Sequence, residues 1–363
     1  MFGYDLGIDL GTSSIVISVV GKGVVLSEPA YVAYDVNKSE MLYAGKRAYY
    51  LEGREPVGVS VIQPIKSGNV SNYDLACQMV EYFMNKVLKK NIFKPRIVAS
   101  VSSDSTDVER RTLISVLISA GARSVCLVEQ PLCAAFGAGI DPLNPTGVFV
   151  IDVGAGSTDM AVISQGAMSQ NETVKIGGDD FDEAIVKYLK EKHGLLVGLR
   201  TAEDIKKTIG SAVMRDTDVT MNAKGRNVLS GLPKVVEITG NEICACFGEL
   251  LDEIMTVAKS MFERTSPQLV ADITNSSVLL TGGMSQLFGL DKLISQTLNL
   301  DVTIPVRANL CVSKGCELAL KKMHILDGYG YSFKTKRSES DDSNLLWLWQ
   351  GQNNCRNRAR YES

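Results

Sequence analysis

The sequence lacks several features on which common classes of protein depend. It has 363 residues but only two histidines, His193 and His324, and their separation argues against a histidine-based metal site or nucleophile. The net charge of −3 lacks the basic excess of a nucleic-acid binder, so we expect no nucleic-acid partner. No apolar run is long enough to cross a membrane as a helix. Because the first predicted strand begins almost at Met1, we also expect no signal peptide.

Cysteine occurs eight times, but its spacing does not form a zinc-binding pattern. Cys244 and Cys246 fall within a helical pattern, where they are most simply small buried side chains. We therefore expect reduced thiols in a cytoplasmic protein. The hydrophobic and charged fractions, 45% and 22%, are those of an ordinary globular protein, and the length allows two domains.

The most informative feature that is present is a glycine motif that occurs twice. Residues 8–14 (Ile-Asp-Leu-Gly-Thr-Ser-Ser) follow an apolar run, and residues 150–159 repeat the plan in the middle of the chain. Each copy is a strand that ends at an aspartate, then a Gly/Ser/Thr turn, then a second apolar strand. Glycine lets backbone N–H groups approach an anion, and aspartate is a ligand for magnesium. Two facing hairpins would therefore hold a magnesium–polyphosphate from both sides.

The glycine motif has one plain alternative, and two other glycine-rich phosphate-binding motifs are excluded. Either copy alone could be an ordinary β-hairpin with a glycine-rich turn, because short motifs have many false matches. A Walker loop is excluded because no Gly-Lys-Ser/Thr follows. The dinucleotide-binding fingerprint is excluded because a strand, not a helix, follows the turn.

Hydrophobic periodicity predicts strands mixed with helices in both halves of the chain. Strands are predicted near 6–8, 15–20, 24–26, 31–34, 97–101, 125–128, 150–153, 160–163, 217–221, 235–239 and 278–280. Helices are predicted over 71–88, 106–121, 129–135, 180–192, 202–212, 242–263 and 312–323. Thr106 and Glu109 form a capping box, and Thr201 is predicted to cap the helix 202–212. A glycine hairpin that opens each half suggests two similar α/β domains around a cleft.

Several separated motifs, in order along residues 3 to 325, resemble those of the actin, DnaK-type chaperone and sugar-kinase superfamily. Within it the chain is most similar to the bacterial rod-shape-determining MreB/Mbl actin homologues. The motifs are Gly7-Ile-Asp-Leu-Gly-Thr12, Glu129-Gln-Pro131, Asp152-Val-Gly-Ala-Gly156, Lys175-Ile-Gly-Gly-Asp-Asp-Phe-Asp182, Ala202-Glu-Asp-Ile-Lys-Lys-Thr-Ile-Gly210, Leu280-Thr-Gly-Gly283 and Cys311-Val-Ser-Lys-Gly315.

The resemblance implies an α/β, actin-like ATPase fold, with two similar domains around a nucleotide cleft. The first domain is expected over 1–145, with a small subdomain at about 32–67. The second is expected over 146–328, with a small subdomain at about 183–258. Residues 329–363 would form a flexible tail.

The resemblance also implies roles for individual residues. Asp9 and Asp152 match the two aspartates that hold magnesium through water, and with Gln130 they form the expected catalytic set. Nucleotide contacts are expected from the two phosphate loops, a helix, the adenosine loop and one further loop of the pocket. These residues are Gly11, Thr12, Ser13 and Ser14; Gly154, Ala155 and Gly156; Glu203, Lys206 and Lys207; Gly282, Gly283 and Met284; and Gly177, Gly178 and Asp179.

Two of these assignments have plain alternatives when spacing alone is considered. Glu203 and Lys206 could be a solvated ion pair one helical turn apart, which is the usual role of such pairs. Gly282 and Gly283 could be an ordinary strand-to-helix turn. Only the flanking motifs favour nucleotide contacts.

The chain departs from the family pattern in three places. Gln130 replaces the second of two acidic residues, and a glutamine can orient the attacking water but cannot act as a base. Eukaryotic actins carry glutamine at the matching position, so we expect slow ATP hydrolysis. Ser13 and Ser14 replace the usual Ala-Asn but still offer hydroxyls. Ser102 replaces the usual proline, with no evident consequence for function.

Two segments are candidates for membrane contact, because MreB-like proteins bind the inner face of the cell membrane. The loop 89–96 places Ile92 and Phe93 between basic residues that would meet anionic head groups. Its alternative is a helix end with a buried aromatic and solvated lysines. In the tail, residues 345–349 (Leu-Leu-Trp-Leu-Trp) lie near arginines and could rest in the interface, dock on another protein, or belong to a disordered extension.

Together these features predict a cytoskeletal protein at the inner face of the cell membrane that binds ATP or ADP with Mg²⁺. The resemblance implies self-association into paired protofilaments, an anionic membrane surface, and the cell-wall elongation machinery with its membrane-protein adaptors as partners. Its function would be to organise cell-wall synthesis and so determine rod shape. The alternative is another actin-superfamily ATPase: a plasmid-segregation filament, or a chaperone-like or kinase-like protein. A chaperone is disfavoured because too few residues follow for a substrate domain.

Overall fold

The alternation of strands and helices produces two five-stranded sheets and three smaller ones in the computed structural model, which describes residues 5–89 and 93–336. The strands are β1 (Leu6–Leu10), β2 (Ser14–Val19), β3 (Gly23–Pro29), β4 (Val32–Asp35), β5 (Glu40–Ala44), β6 (Val59–Ile62), β7 (Ile65–Lys66), β8 (Asn69–Val70), β9 (Arg96–Val101), β10 (Ser124–Glu129), β11 (Val148–Val153), β12 (Thr158–Ser164), β13 (Ala167–Val174), β14 (Leu195–Leu196), β15 (Thr220–Asn227), β16 (Pro233–Thr239), β17 (Val278–Thr281) and β18 (Val302–Thr303).

The helices cover the faces of these sheets and connect them. They are α1 (Lys46–Tyr49), α2 (Tyr73–Leu88), α3 (Asp107–Ser119), α4 (Gln130–Ala138), α5 (Gly178–His193), α6 (Leu199–Ile209), α7 (Gly240–Cys246), α8 (Gly248–Glu263), α9 (Pro267–Asn275), α10 (Leu290–Leu298), α11 (Cys311–Lys321) and α12 (Met323–Leu326). Among the residues described, no helix is both long and apolar enough to cross a bilayer.

The two large sheets have the same topology. Their strand orders are β3-β2-β1-β9-β10 and β13-β12-β11-β17-β18. In the first sheet, β1 pairs antiparallel with β2 and parallel with β9. In the second, β11 pairs antiparallel with β12 and parallel with β17. Both glycine motifs are therefore turns of antiparallel hairpins, as predicted, and they occupy equivalent positions in the two sheets.

Three small sheets accompany the large ones. The sheet β5-β4-β6 and the hairpin β7-β8 follow the first meander, and β14-β15-β16 lies in the second half. Their residues fall close to or within the ranges 32–67 and 183–258 that we expect to be small subdomains. The division of the chain into domains stays a prediction.

Two chain crossings connect the halves. Helix α4 leads from β10 of the first sheet to β11 of the second, and α11 follows β18 of the second sheet and contacts β1 and β9 of the first. Their side chains, with those of β10, β11 and β12, share one apolar cluster. The helices cross so closely that a Cβ at Gly137 or Gly315 would overlap a carbonyl oxygen of the other helix.

Two predicted helix boundaries were wrong. Thr201 does not cap α6, which begins at Leu199 and has Gly198 at its N-cap. The predicted helix 242–263 is two helices, α7 and α8, that meet at Phe247. Phe247, with a ψ of −8°, interrupts the helix where the local pattern is continuous. It is fully buried, and its ring packs edge-on against Phe181 at 4.8 Å between centroids. The capping box of Thr106 and Glu109 is confirmed.

The start of the predicted tail packs on the first half. Lys334 exchanges two backbone hydrogen bonds with Val125 of β10, at 2.7 and 2.9 Å. Tyr331 and Phe333 are partly buried against the cluster around α4. The segment around Trp347 and Trp349 lies outside the described residues.

Candidate functional site

A cleft of about 620 Å³ is lined by both glycine hairpins and by residues of α4, α5 and α6. Nearly all the predicted nucleotide contacts lie on its wall; the exception is Gly177. The backbone of Gly177 instead packs against Ala155, where a Cβ would overlap the carbonyl of Ala155. A second cavity, of about 640 Å³, lies between β3 and the end of α2 and contains none of the predicted residues.

The two hairpin turns are closed by the same backbone hydrogen bond. The N–H of Gly11 donates to the carbonyl of Ser14 at 3.0 Å, and the N–H of Gly154 donates to that of Ser157 at 2.9 Å. In both turns a Cβ on the glycine would stand just over 3 Å from that carbonyl oxygen. The repeated sequence motif is thus a repeated local structure, with backbone amides and hydroxyls at the cleft.

The two aspartates are held in equivalent ways. Ser100 Oγ in β9 donates to Asp9 Oδ1 at 2.8 Å, and Thr281 Oγ1 in β17 donates to Asp152 Oδ1 at 2.6 Å. Burial raises the pKa of Asp9 to about 6 and that of Asp152 to about 7, although these hydrogen bonds oppose the shift. The neighbouring carboxylate of Asp159 raises the pKa of Asp152 further. Each carboxylate is thus poorly solvated and points to the cleft with capacity for a cation.

These carboxylates fit a magnesium ion whose other ligands are phosphate oxygens and water. Magnesium is usually bound by one or two carboxylates plus substrate phosphates and keeps several waters. Within residues 5–89 and 93–336, no three or more His, Cys, Asp or Glu side chains are grouped to hold a metal ion. The donor set therefore suits an ion that arrives with a polyphosphate.

The Glu129–Gln130 pair is divided between two roles. Gln130 is the first residue of α4 and lines the cleft. Glu129 is 7% exposed and is not part of the cleft wall. It pairs with Arg110 at 2.9 Å and accepts a hydrogen bond from Tyr331 at 2.7 Å. Of this pair, only Gln130 is placed to face a ligand.

Lys206 is buried in the wall of the cleft, at 8% exposure. Its Nζ donates to the carbonyl of Gly178 at 2.5 Å and to Asp182 Oδ2 at 2.7 Å. The alternative of a solvated pair with Glu203 is therefore wrong, because the lysine turns inward to α5.

Glu203 has partners on both sides of the cleft. It accepts hydrogen bonds from Lys207 Nζ at 2.5 Å and, across the cleft, from the hydroxyl of Tyr49 at 2.6 Å. Burial raises the pKa of Glu203, but the bonds from Lys207 and Tyr49 outweigh it and lower the pKa overall. Glu203 is therefore an ionised acceptor that joins α6 to α1.

The loop after β17 completes the wall. Gly282 has a φ of 87°, and a Cβ there would overlap the backbone of Val153, so only glycine fits this close approach. Space around Gly283 is open, since no atom lies within 4 Å of its ideal Cβ. Met284 follows in a short 3₁₀ turn and also lines the cleft.

Some wall residues were missed in the sequence analysis. Ser157 occupies the place in the second turn that Ser14 has in the first, so the duplication itself was the available signal. Gly68, in the β7–β8 turn, donates its N–H to Thr12 Oγ1 at 3.2 Å. No local pattern marks that contact, because Gly68 reaches the first glycine turn only through the tertiary fold.

The predicted membrane residues are described only in part. Ile92 lies outside the described residues. Phe93 is 62% exposed, so the alternative of a buried aromatic at this loop was wrong. Insertion into a membrane stays a prediction.

A family model described as MreB/Mbl protein matches residues 3–328. The chain belongs to the MreB/Mbl family. It is 38% identical over 324 residues to the cell shape-determining protein Mbl of Bacillus cereus, covering 89% of this chain and 97% of that protein. It is 35% identical over 334 residues to the cell shape-determining protein MreB of Escherichia coli, covering 90% and 96%.

Solved structures agree with the MreB/Mbl assignment. MreB5 of Spiroplasma citri bound to ADP is similar with a TM-score of 0.84 and 30% identity, over 88% of this chain and 97% of that one. MreB5 of Spiroplasma citri bound to AMPPNP is similar with a TM-score of 0.85 and 30% identity, over 91% of this chain and 99% of that one. A chain of the MamK double helical filament has a TM-score of 0.75 at 16% identity, over 88% of this chain and 98% of that one. At this identity the similarity shows the fold alone. The expected α/β actin-like fold is confirmed, and this MreB/Mbl chain is a cell shape-determining type of actin-like protein.

Proposed function

We propose that the chain binds ATP with Mg²⁺ in this cleft, hydrolyses it slowly and polymerises into cytoskeletal filaments. The observation that carries the proposal is the pair of equivalent hairpin turns, each with an aspartate, that line one cleft. The similar MreB5 structures, bound to ADP and to AMPPNP, support an adenine nucleotide as the ligand.

Different residues of the cleft would hold different parts of the nucleotide. The turns at Gly11 and Gly154 would hold the phosphates through backbone N–H groups and hydroxyls. Asp9 and Asp152 would hold the magnesium ion, which neutralises charge on the phosphates. The remaining wall would take the nucleoside, with Glu203, Lys206 and Lys207 beside the ribose and Gly282, Gly283 and Met284 beside the base. Gly178 and Asp179 would belong to a further loop that lines the pocket.

Hydrolysis would depend on Gln130, which would orient the attacking water from the start of α4. Its amide can accept and donate hydrogen bonds but cannot take a proton, so the rate should be low. Phosphoryl transfer nevertheless depends mostly on positioning and electrostatic stabilisation. A glutamine in this place is therefore compatible with a slow ATPase.

Purified protein with Mg-ATP, assayed by sedimentation, phosphate release and electron microscopy, tests the proposal. We expect pelletable filaments and slow phosphate release, both lost when EDTA removes the magnesium. Asp152→Asn should abolish phosphate release while retaining the fold. A soluble monomer that transfers phosphate to a small metabolite would instead establish a kinase.

We further propose that the filaments lie on the inner face of the cell membrane and organise cell-wall synthesis, with the elongation machinery and its membrane-protein adaptors as partners. The exposed Phe93 supports a membrane contact. An Ile92→Ser/Phe93→Ser double variant should pellet less with phosphatidylglycerol vesicles than the parent. Val57→Ser, which changes a fully exposed apolar residue outside this loop, is the control. Equal binding by the double variant and the parent would exclude this loop as the contact.

A further inference from the structure

A buried carboxylate that the proposed mechanism does not use lies next to the second phosphate loop. Asp159, in β12, has no exposed surface and stands opposite Asp152 in the β11–β12 pairing. It accepts four hydrogen bonds: from Ser102 Oγ at 2.6 Å, Thr173 Oγ1 at 2.8 Å, Ser157 Oγ at 3.0 Å and the N–H of Ser103 at 3.1 Å. Such a set of donors is what a buried carboxylate needs to replace water.

The four donors come from both halves of the molecule. Ser102 and Ser103 follow β9 of the first large sheet, whereas Ser157 and Thr173 belong to the second half. Asp159 therefore ties the two halves together on the phosphate side of the cleft. This contact involves Ser102, the one family departure for which the sequence showed no consequence.

The single proton of Ser102 has more than one possible acceptor. Its Oγ also lies 2.8 Å from Asp104 Oδ1 and 3.3 Å from Thr173 Oγ1, whose own proton goes to Asp159. Asp104 has a cationic partner of its own, Lys175, at 2.8 Å. The buried Asp159, at the shorter distance, depends more on this proton, because a buried acceptor that loses its donor is costly.

Ser157 connects the hydrogen bonds of Asp159 to the cleft. It lines the wall, and its carbonyl accepts the bond that closes the turn at Gly154. The preceding Gly156 packs so closely on the first half that a Cβ would overlap Thr12 Oγ1 and the backbone of Ser67. A shift of Ser157 would therefore change the separation of the two phosphate loops.

We propose that Asp159 is a positioning residue, which through Ser157 and Ser102 sets the spacing between the phosphate loops of the two halves. This role rests on the proposed function, and it concerns the chemical step more than nucleotide binding. Displacement of reacting groups by about 1 Å can cost about 100-fold in rate. Binding, which is shared among many contacts along the cleft, should change much less.

Ser102→Ala tests the proposal, because it removes one donor to Asp159 and leaves three. We expect kcat for ATP hydrolysis to fall by about tenfold, within the range for misplaced groups, while KM and the affinity for a fluorescent ADP analogue change by less than about twofold. Ser103→Ala is the matched control. It keeps the N–H that bonds Asp159, and its hydroxyl only approaches Met168 Sδ at 3.9 Å, so it should hydrolyse ATP like the parent.

The outcomes separate this role from the proposed function. Parent-like kcat in Ser102→Ala, or equal losses in Ser102→Ala and Ser103→Ala, would overturn the positioning role and leave the ATPase intact. A fall in melting temperature with parallel losses of kcat and ADP affinity would also overturn it, as a purely structural effect. A parent protein that binds no ATP would overturn the proposed function, and this role with it.

Discussion

At the residue scale, the cleft is built from pairs of residues with equivalent surroundings. Asp9 and Asp152 are the next-to-last residues of β1 and β11, and each accepts one hydrogen bond from a hydroxyl of the neighbouring parallel strand. Gln130 belongs to no such pair, and the same is true of Glu203 and Lys206 on the wall of the cleft. The paired residues suit a polyphosphate held from both sides, and Gln130 suits the chemical step.

The first prediction concerns Gln130. Gln130→Ala should lower ATP hydrolysis by about tenfold or more, because loss of a group that orients water removes positioning in the transition state. ADP affinity should stay near that of the parent, since this side chain would not hold the nucleotide. Phosphate release under polymerising conditions is the measurement.

Gln130→Glu is the informative companion variant, because glutamate keeps the length of the side chain and adds a base. We expect it to hydrolyse ATP at least as fast as the parent. An alanine variant that hydrolyses at the parent rate would show that Gln130 does not place the water.

At the element scale, the crossing of α4 and α11 decides how the two halves are connected. Both helices carry a glycine at the point of contact, Gly137 and Gly315, with the carbonyl of the facing helix where a Cβ would be. Close beside it, the sulfurs of Cys133 and Cys316 lie 3.6 Å apart as buried free thiols. Small side chains at this crossing are thus a requirement of packing, and no catalytic or metal-binding role is needed to account for them.

Gly137→Ala should therefore destabilise the protein, because a methyl group would force the two helices apart. We expect a loss of about 3 kcal/mol in the free energy of unfolding, at the upper end for overpacking. Urea denaturation followed by circular dichroism measures it. Gly248→Ala in α8 is the control: its Cβ meets no atom within 4 Å, and alanine favours a helix by about 1 kcal/mol. Equal stability of the two variants would contradict the tight crossing.

At the scale of the whole molecule, two sets of polar contacts span the cleft between the halves. On the phosphate side, Ser102 and Ser103 reach Asp159. At the predicted ribose contacts, the hydroxyl of Tyr49 reaches Glu203. The two halves are therefore joined by polar contacts at two places beside the cleft.

Tyr49→Phe tests the second of these contacts. The variant loses one hydrogen bond to a carboxylate, worth about 1.5 kcal/mol, which corresponds to about tenfold faster release of a fluorescent ADP analogue in stopped-flow experiments. The free energy of unfolding should fall by no more than this amount, because the ring would keep its edge-on contact with Tyr31 at 5.2 Å. Tyr50→Phe, at the exposed neighbouring tyrosine, is the control. Equal release from Tyr49→Phe and the parent would mean that this bond does not limit nucleotide exchange.

Local sequence patterns were enough to predict most of the fold and most of the residues that line the cleft. Residues such as Gly11 and Gly154 could be assigned because a strand, an aspartate and a turn are adjacent in the chain, and adjacency decides hairpin geometry. Most strands and the long helices followed from periodicity in the same way. Several elements were missed, among them the helices α9 and α10, the strand β13 and short strands such as β5 and β6. β13 has few apolar residues, whereas the helical spacing of Leu290, Ile294 and Leu298 in α10 was an available signal.

What the sequence determined by itself was the pair of hairpins, the nucleotide-type chemistry of their residues, and the family. Only the tertiary structure decided which partners these residues have. Lys206 turns inward to Asp182, Glu203 reaches Tyr49, and Ser102 reaches Asp159. The reason is physical: these contacts join segments far apart in the chain, and burial makes each polar group bond whatever the fold brings beside it.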